Sequence, residues 1–179
     1  MQSQNQQTIL CSVDNFHSPQ EVRYRRGKDS AQGFYLDSYD YTQLKNHLLE
    51  PFKQGQGKYL EGIYDVSTES QIPFAFKQVP THSVLIVEGI FLQRPELISY
   101  WDLKIFLHVD FEVSLARNIK RAKDQAKIGS VQDIKKRYKA RYMPGQKLYF
   151  QDAYPSITAD IVINNNDFNN PVLRSRISL

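Results

Sequence analysis

The chain has 179 residues, 41% of them hydrophobic, which fits a single globular domain over residues 1–179 and excludes a low-complexity protein. No apolar run approaches the roughly 18 residues of a membrane span, and the polar, uncharged start (MQSQNQQ) shows no signal peptide. The net charge is only +4, but residues 117–147 carry eleven Lys or Arg against two Asp. We therefore expect a cytoplasmic protein without a membrane partner, in which this basic segment favours an anion. Nucleotide phosphates, nucleic acid and a plain solvated helix face are the three interpretations left open.

The N-terminal part of the chain predicts one strand, a loop and one helix. Residues 8–13 form a short apolar run suited to a buried strand, and the single cysteine, Cys11, is expected there to be buried and unreactive. Charged and turn-forming residues predict a loop over 14–33. Apolar residues at helical spacing then predict a helix over 40–50 that Pro51 ends.

The middle of the chain predicts further strands. Residues 58–70 carry two short strand-like pieces that predict a hairpin. The strongest strand pattern lies at 83–87, where four aliphatic residues follow one another. Two more strands are predicted at 103–109 and 159–163.

Helical patterns lie between the last two strands. An apolar face at Leu115, Ala116, Ile119 and Ala122 predicts one helix. Ser130 and Asp133 have the spacing of a capping box, which predicts a basic helix from 130 to about 142. Pro144 and Gly145 are expected to break that helix.

Aliphatic strands that alternate with helical patterns predict an α/β protein with a parallel sheet covered by helices on both faces. Ligands of such sheets bind at the carboxyl ends of the strands. Three predicted strands run there directly into an acid, namely Asp14, Glu88 and Asp110. These carboxylates suit a magnesium–phosphate site, although any strand end is wet and tolerates an acid.

Six short motifs occur in an order and spacing that resemble the uridine kinase family of P-loop phosphotransferases, over about residues 8–170. They are Val-Asp-Asn-Phe-His at 13–17, Phe-Tyr-Leu-Asp-Ser-Tyr-Asp at 34–40, Ile-Tyr-Asp at 63–65, Leu-Ile-Val-Glu-Gly-Ile-Phe at 85–91, Lys-Ile-Phe-Leu-His-Val at 104–109 and Ala-Asp-Ile-Val-Ile at 159–163. The resemblance implies ATP-dependent phosphorylation of the 5′-hydroxyl of a nucleoside such as uridine or cytidine, with ATP and Mg²⁺ as cofactors. Because the basic segment falls where the family has its lid and lacks a base-reading motif, we expect no nucleic-acid partner.

The resemblance assigns two carboxylates to the chemistry. Asp14 matches the aspartate that takes the proton of the sugar 5′-hydroxyl, since a hydroxyl needs a nearby base to become a useful nucleophile. Glu88 matches the acid that holds magnesium through water. Asp14 and Glu88 are therefore the candidate metal-site residues, because magnesium prefers one or two hard carboxylates and keeps several waters.

Other matched residues concern the substrate. Asp37 matches an aspartate that binds ribose hydroxyls, with a helix cap as its structural alternative. Tyr64 matches an aromatic of the base pocket, with ordinary core as its alternative. His17 stands where a tyrosine is common and is a further substrate-binding candidate. Glu69 replaces a histidine of the family, which leaves the base specificity open and allows another small alcohol such as pantothenate.

Four arginines of residues 117–147, the predicted basic lid and following helix, are candidates for binding phosphates. Arg117 and Arg121 match arginines that clamp the transferring phosphate, a task suited to a planar cation. Arg137 and Arg141 lie four residues apart on the basic helix and are candidates for binding ATP, with a solvated face as the alternative. Two arginines expected in the lid are replaced by Ala126 and Ile128.

The sequence Gly-x-x-x-x-Gly-Lys-Ser/Thr, which cradles phosphates in this family, is not found in the 179 residues. The family places its first strand, that loop and a helix before the strand that ends at Asp14. We therefore expect a kinase domain without those three elements, inactive as these 179 residues alone. A non-catalytic remnant that binds a nucleoside or a protein is the alternative.

Overall fold

The computed structural model describes residues 7–121 and 130–175, which form two compact units. Unit 1 comprises residues 7–26 and 36–92, and unit 2 comprises 27–35 and 93–121 with 130–175. The single-domain organisation stays a prediction. Ala126, Ile128 and the other residues from 122 to 129 of the predicted lid lie outside the described residues.

The main sheet of unit 1 is a parallel pair of strands. β1 (Gln7–Ser12) pairs with a later strand, Ser83–Glu88, here β6, and Ser12 lies opposite Glu88. β1 buries Cys11, as predicted, and burial raises the pKa of its thiol to about 11. The thiol therefore stays protonated and unreactive at neutral pH.

Short helical elements occupy much of the rest of unit 1. A 3₁₀ turn (Val13–Phe16) follows β1, and α1 (Gln20–Arg23) and α2 (Ala31–Asp37) lie where a loop is predicted. α2 runs from unit 2 into unit 1. The core includes apolar side chains that are almost completely buried, namely Val13, Phe16, Leu44, Leu48, Leu60 and Phe91.

The prediction that Pro51 ends a helix is wrong. α3 (Tyr41–Leu44) continues through a π-helical turn (Lys45–Leu49) into α4 (Glu50–Lys53). The wider π-helical turn leaves room for the proline ring. Pro51 has no N–H to donate to the carbonyl of His47, and this carbonyl instead accepts the N–H of Leu60 at 2.8 Å.

The predicted hairpin within 58–70 is wrong in its pairing. β2 (Lys58–Tyr59) pairs with β5 (Lys77–Gln78), and β3 (Tyr64–Asp65) pairs with β4 (Ser70–Gln71), both antiparallel. The second hairpin therefore lies inside the first in sequence, an arrangement that local pattern alone does not specify.

Unit 2 has its own sheet. β7 (Ile105–His108) pairs in parallel with β8 (Ile161–Asn164), which pairs antiparallel with β9 (Val172–Ser175), a strand that the sequence patterns do not predict. The helical elements of unit 2 are a 3₁₀ turn (Ile98–Tyr100), α5 (Phe111–Lys120), α6 (Val131–Arg137), a π-helical turn (Tyr138–Tyr142), α7 (Met143–Ala153) and α8 (Pro155–Thr158). The predicted capping box at Ser130 and Asp133 is confirmed, with both reciprocal hydrogen bonds formed.

Pro144 and Gly145 do not break the basic helix, contrary to expectation. The π-helical turn just before Pro144 accommodates the proline, and α7 continues to Ala153. Gly145 is needed for close packing, since a Cβ there would lie 2.7 Å from Cδ1 of Phe34 and 3.0 Å from the carbonyl oxygen of Ala31. In the part of the chain that the structure describes, no helix has the length and apolar character to span a membrane.

Candidate active site

The predicted acids of unit 1 lie at one end of its parallel sheet. Ser12 and Glu88 are partners in the strand register, Glu88 is the last residue of β6, and Asp14 follows Ser12 by two residues. Both acids are exposed. The strand-end reasoning therefore holds for this pair, and Asp110 belongs to unit 2.

Three hydrogen bonds fix Asp14 and its peptide. The hydroxyl of Tyr39 donates to Oδ1 of Asp14 at 2.8 Å, and the main-chain N–H of Asp14 donates to Oγ of Ser12 at 3.2 Å. Nδ1 of His17 lies 2.6 Å from the carbonyl oxygen of Asp14 and donates to it. The second carboxylate oxygen of Asp14 has no hydrogen bond from a described residue in these contacts, so it is available to a substrate hydroxyl.

Tyr39 is a buried support for Asp14. Burial, together with the negative charge of Asp14, holds the pKa of Tyr39 well above its usual range, so its hydroxyl stays a donor at neutral pH. Its ring packs on His17 at 4.7 Å and on Phe91 at 6.5 Å between centroids. The sequence reasoning missed Tyr39, although it stands two residues after Asp37 in the motif at 34–40.

The turn after Glu88 is tight and specific to its sequence. Gly89 has φ +135°, and a Cβ there would lie 2.3 Å from Cγ1 of the buried Val13. Phe91 has φ +64°, a left-handed conformation that a bulky residue rarely adopts, and its side chain is buried. Packing of Phe91 under Tyr39 thus couples the turn after Glu88 to the tyrosine that holds Asp14.

A cleft of about 110 Å³ lies next to this carboxylate site, within unit 1. It is lined by His17, Pro19, Asp40, Gln43, Ile63, Tyr64, Gln71 and Phe74. His17 connects the cleft to Asp14 through its Nδ1 hydrogen bond. The cleft brings together the predicted substrate residues His17 and Tyr64, and adds Gln43 and Phe74, which no sequence motif singled out.

Glu69, the residue that departs from the family pattern, contacts Tyr64 of the cleft. The hydroxyl of Tyr64 donates to Oε2 of Glu69 at 3.1 Å, and the buried Arg23 forms an ion pair with the same oxygen. Glu69 has φ +52°, because it lies in the tight turn between β3 and β4. The orientation of Tyr64 therefore depends on a carboxylate held by an arginine.

Asp37 belongs to unit 1 but does not line the cleft. Its side chain is 2% exposed, Oδ1 is paired with Arg25, and Oδ2 accepts from Nε of Arg26 at 2.8 Å. Asp37 is the last residue of α2, and Asp40 is the N-cap of α3. The structural alternative for Asp37, a helix cap, is therefore wrong, because Asp40 caps that helix. Ribose binding by Asp37 stays a prediction.

Arg117, one of the candidate arginines of unit 2, binds main-chain oxygens. Nη2 of Arg117 donates to the carbonyls of Asn165 and Asn166, at 2.8 and 3.1 Å. The exposed Arg121 follows α5 directly.

Arg137 and Arg141 both contact the segment 27–35 of unit 2. Arg137 lies 3.2 Å from Oδ1 of Asp29, and Arg141, which is 3% exposed, donates to the carbonyl of Ser30 at 3.0 Å and lies over the ring of Phe34. Their phosphate roles stay predictions.

The two carboxylates of unit 1 fit magnesium by their chemistry. Asp14 and Glu88 offer hard oxygens at one sheet end, and magnesium needs few protein ligands because it retains water. Among residues 7–121 and 130–175, no group of three or more His, Cys, Asp or Glu is arranged to hold a metal ion.

Comparison with solved structures defines the class of the fold. The chain is similar to a possible uridine kinase from Bacillus stearothermophilus, with a TM-score of 0.62 at 19% identity, over 89% of this chain and 73% of that one. It is also similar to phosphoribulokinase from Rhodobacter spheroides, with a TM-score of 0.57 at 17% identity, over 96% of this chain and 71% of that one. The predicted α/β fold of P-loop kinase type is confirmed.

Comparison of sequences defines the family. The model of the "Phosphoribulokinase / Uridine kinase family" matches residues 3–169, and the chain belongs to that family. The chloroplastic uridine/cytidine kinase UKL1 of Arabidopsis thaliana is 30% identical over 121 residues, which are 67% of this chain and 24% of that protein. The chain thus spans about a quarter of the length of this curated relative.

Proposed function

We propose that this protein is the nucleoside-binding part of an ATP-dependent phosphotransferase that phosphorylates the 5′-hydroxyl of a nucleoside. The observation that carries the proposal is the position of Asp14. It shares one sheet end with Glu88, is held by the buried Tyr39, and is joined through His17 to a partly aromatic cleft. Base, metal-site acid and substrate cleft then adjoin within unit 1.

Asp14 acts as the base in this proposal. Tyr39 occupies Oδ1 and sets the direction of the carboxylate, so the other oxygen can accept the hydrogen of the 5′-hydroxyl. As the bond between that hydroxyl oxygen and the γ-phosphorus of ATP forms and the bond to the β–γ bridging oxygen breaks, the proton passes to Asp14 and ADP leaves.

Glu88 and Asp14 are the residues that would hold magnesium, through water. When bound, the ion neutralises charge on the phosphates of ATP. Arg117, Arg121, Arg137 and Arg141 are proposed as the basic side of a lid at 117–147. To contact phosphate, Arg117 and Arg141 must each release the main-chain carbonyl groups that they bind in this structure.

The cleft holds the base of the nucleoside in this proposal. Tyr64 and Phe74 offer aromatic surface, and His17 and Gln43 offer polar contacts. The hydroxyl of Tyr64 donates to Glu69, so it is not free to donate to the base. A substrate other than uridine fits this departure from the family pattern.

Calorimetric titration of the 179 residues with uridine and cytidine tests the nucleoside site. We expect binding that Tyr64→Ala weakens, because the variant removes the aromatic surface. A Tyr59→Phe variant is the control, since Tyr59 is buried in unit 1 and does not line the cleft. Absence of nucleoside binding by the folded wild-type chain would refute the proposal.

Nucleoside binding without catalysis is the second candidate function. It is favoured by one observation, that these 179 residues contain no Gly-x-x-x-x-Gly-Lys-Ser/Thr. A coupled assay for ADP release separates the two. We expect no nucleoside-dependent ADP release from these 179 residues alone, and release once a Walker A segment from a uridine kinase is joined to them.

A further inference from the structure

One buried arginine of unit 1 contacts two parts of the chain that line the cleft. Nε of Arg23 donates to the carbonyl of Ser18 at 2.8 Å, in the segment 17–19, whose first and last residues line the cleft. Nη2 of the same guanidinium pairs with Oε2 of Glu69, the oxygen that accepts the hydroxyl of Tyr64. One guanidinium therefore connects the segment before α1 with the hairpin of β3 and β4, which contributes Tyr64 to the cleft.

The ion pair between Arg23 and Glu69 supplies geometry rather than net stability. The side chain of Arg23 is 7% exposed, and that of Glu69 is 38% exposed. Removing a guanidinium from water costs free energy that its ion pair offsets only in part, so such a pair is weak evidence for stability. A planar guanidinium has donors in fixed directions, however, and it binds two acceptors at a set separation. Arg23 thus fixes the position of Glu69 relative to the carbonyl of Ser18.

The hairpin that carries Tyr64 needs such a contact. β3 and β4 have two residues each, and a hairpin of this size is marginally stable by itself. The main-chain N–H of Ile63 donates to the carbonyl of Asn15 at 2.9 Å, which holds the backbone of the hairpin at one point. The direction of the neighbouring Tyr64 ring depends in addition on its hydroxyl, which donates to Oε2 of Glu69 at 3.1 Å.

We infer that Arg23 and Glu69 are positioning residues of the cleft, which hold the ring of Tyr64 in the orientation in which it packs against the base. The inference rests on the proposed nucleoside site. A base that enters the cleft then meets a ring that is already ordered, so less conformational entropy is lost on binding. The hydroxyl of Tyr64 serves this orientation and does not bind the base itself.

The test is calorimetric titration of the 179-residue chain with uridine and with cytidine, in which variants are compared for the nucleoside that wild type binds more tightly. Glu69→Gln removes the charge that pairs with Arg23 and should weaken binding about fivefold. Tyr64→Phe removes only the hydroxyl and should weaken binding by a similar factor. The two changes together should weaken it no further than either alone, since both release the same ring. Glu61→Gln, at a similarly exposed ion pair with Lys77 outside the cleft lining, is the control and should leave the affinity unchanged.

Arg23→Lys tests the geometry of the guanidinium apart from its charge. Lysine keeps a positive charge beside Glu69, but its single ammonium group on a flexible stem does not reproduce the fixed fork that binds Ser18 and Glu69 together. This variant should therefore also weaken nucleoside binding about fivefold. If thermal melting shows that it does not fold, Glu69→Gln and Tyr64→Phe decide the question.

The outcomes separate the inference from the proposed function. Wild-type affinity in Glu69→Gln or in a folded Arg23→Lys overturns the positioning role and leaves the nucleoside site standing. Losses that add in the double variant with Tyr64→Phe also overturn it, because Glu69 then does not act through Tyr64. An equal loss in Glu61→Gln overturns it as well, since any change of charge would then have the same effect. Binding of neither nucleoside by wild type removes the proposed function and this inference together.

Discussion

The basic segment of unit 2 and the carboxylate end of unit 1 differ in how their charges are used. The segment at 117–147 carries eleven Lys or Arg against two Asp, yet Arg117 and Arg141 donate to main-chain oxygens. Unit 1 has no comparable charge run, but there Asp14 keeps an oxygen open beside a cleft. Charge density along a sequence therefore identifies groups that need partners, and the fold decides whether the partner is the protein itself or a ligand.

The same comparison applies within unit 1. Asp37 and Asp14 are both acids of the family motifs, but Asp37 has an arginine on each oxygen and is buried, whereas Asp14 is exposed and has one tyrosine. We infer that an acid with an open oxygen is the better candidate for chemistry, and that Asp37 serves first to hold Arg25 and Arg26.

The largest expected effect is at Asp14. In a form of the protein joined to a Walker A segment, Asp14→Asn should lower kcat for nucleoside phosphorylation by roughly two to four orders of magnitude, because the base is lost while its shape is kept. Nucleoside affinity, measured by calorimetry on the 179 residues, should change little. Near-normal turnover of the variant at saturating substrate would show that Asp14 is not the base.

Arg141 and Arg137 allow a buried arginine to be compared with a more exposed one. Arg141→Met should lower the free energy of unfolding by about 2–3 kcal/mol, because the carbonyl of Ser30 loses a charged donor in a buried place. Arg137→Met, at a more exposed ion pair, should cost only about 0.5 kcal/mol or less. Urea denaturation measures both, and equal losses would mean that the two arginines have the same kind of role.

Asp37→Asn tests whether Asp37 is a scaffold or a ribose ligand. We expect a loss of about 1–2 kcal/mol in the free energy of unfolding, because the single oxygen of Asn can accept from only one of Arg25 and Arg26 and the amide nitrogen cannot accept from the other. The relative affinities for uridine and 2′-deoxyuridine should stay as in wild type. A selective loss of uridine affinity in the variant would instead assign Asp37 to the ribose, as the family resemblance implies.

The smallest expected effect is at Glu88. Glu88→Gln removes a charge near the magnesium site but keeps the shape of the side chain, so the magnesium concentration for half-maximal rate should rise a few-fold, on the order of that expected for one water-mediated ligand. The measurement again needs the form joined to a Walker A segment. An unchanged magnesium dependence would leave Glu88 as a residue of the strand end only.

Some features of this protein follow from the sequence alone because their causes are local. Aliphatic runs identify the strands at 8–13 and 83–87, and the spacing of Ser130 and Asp133 gives a capping box that needs only neighbouring residues. Acids directly after parallel strands must share a sheet end, which places Asp14 with Glu88.

Other features were decided by the tertiary structure because their causes are distant in sequence. Pro51 is tolerated in a helix since Leu60 takes the carbonyl that the proline leaves, and the helix at 143–153 needs Gly145 since Phe34 leaves no room for a Cβ there. The open oxygen of Asp14 likewise depends on which side chains the fold brings near it. The sequence determined the family and the position of the acids, and packing determined which polar groups remain for a ligand, because a hydrogen bond depends on distance in space and not along the chain.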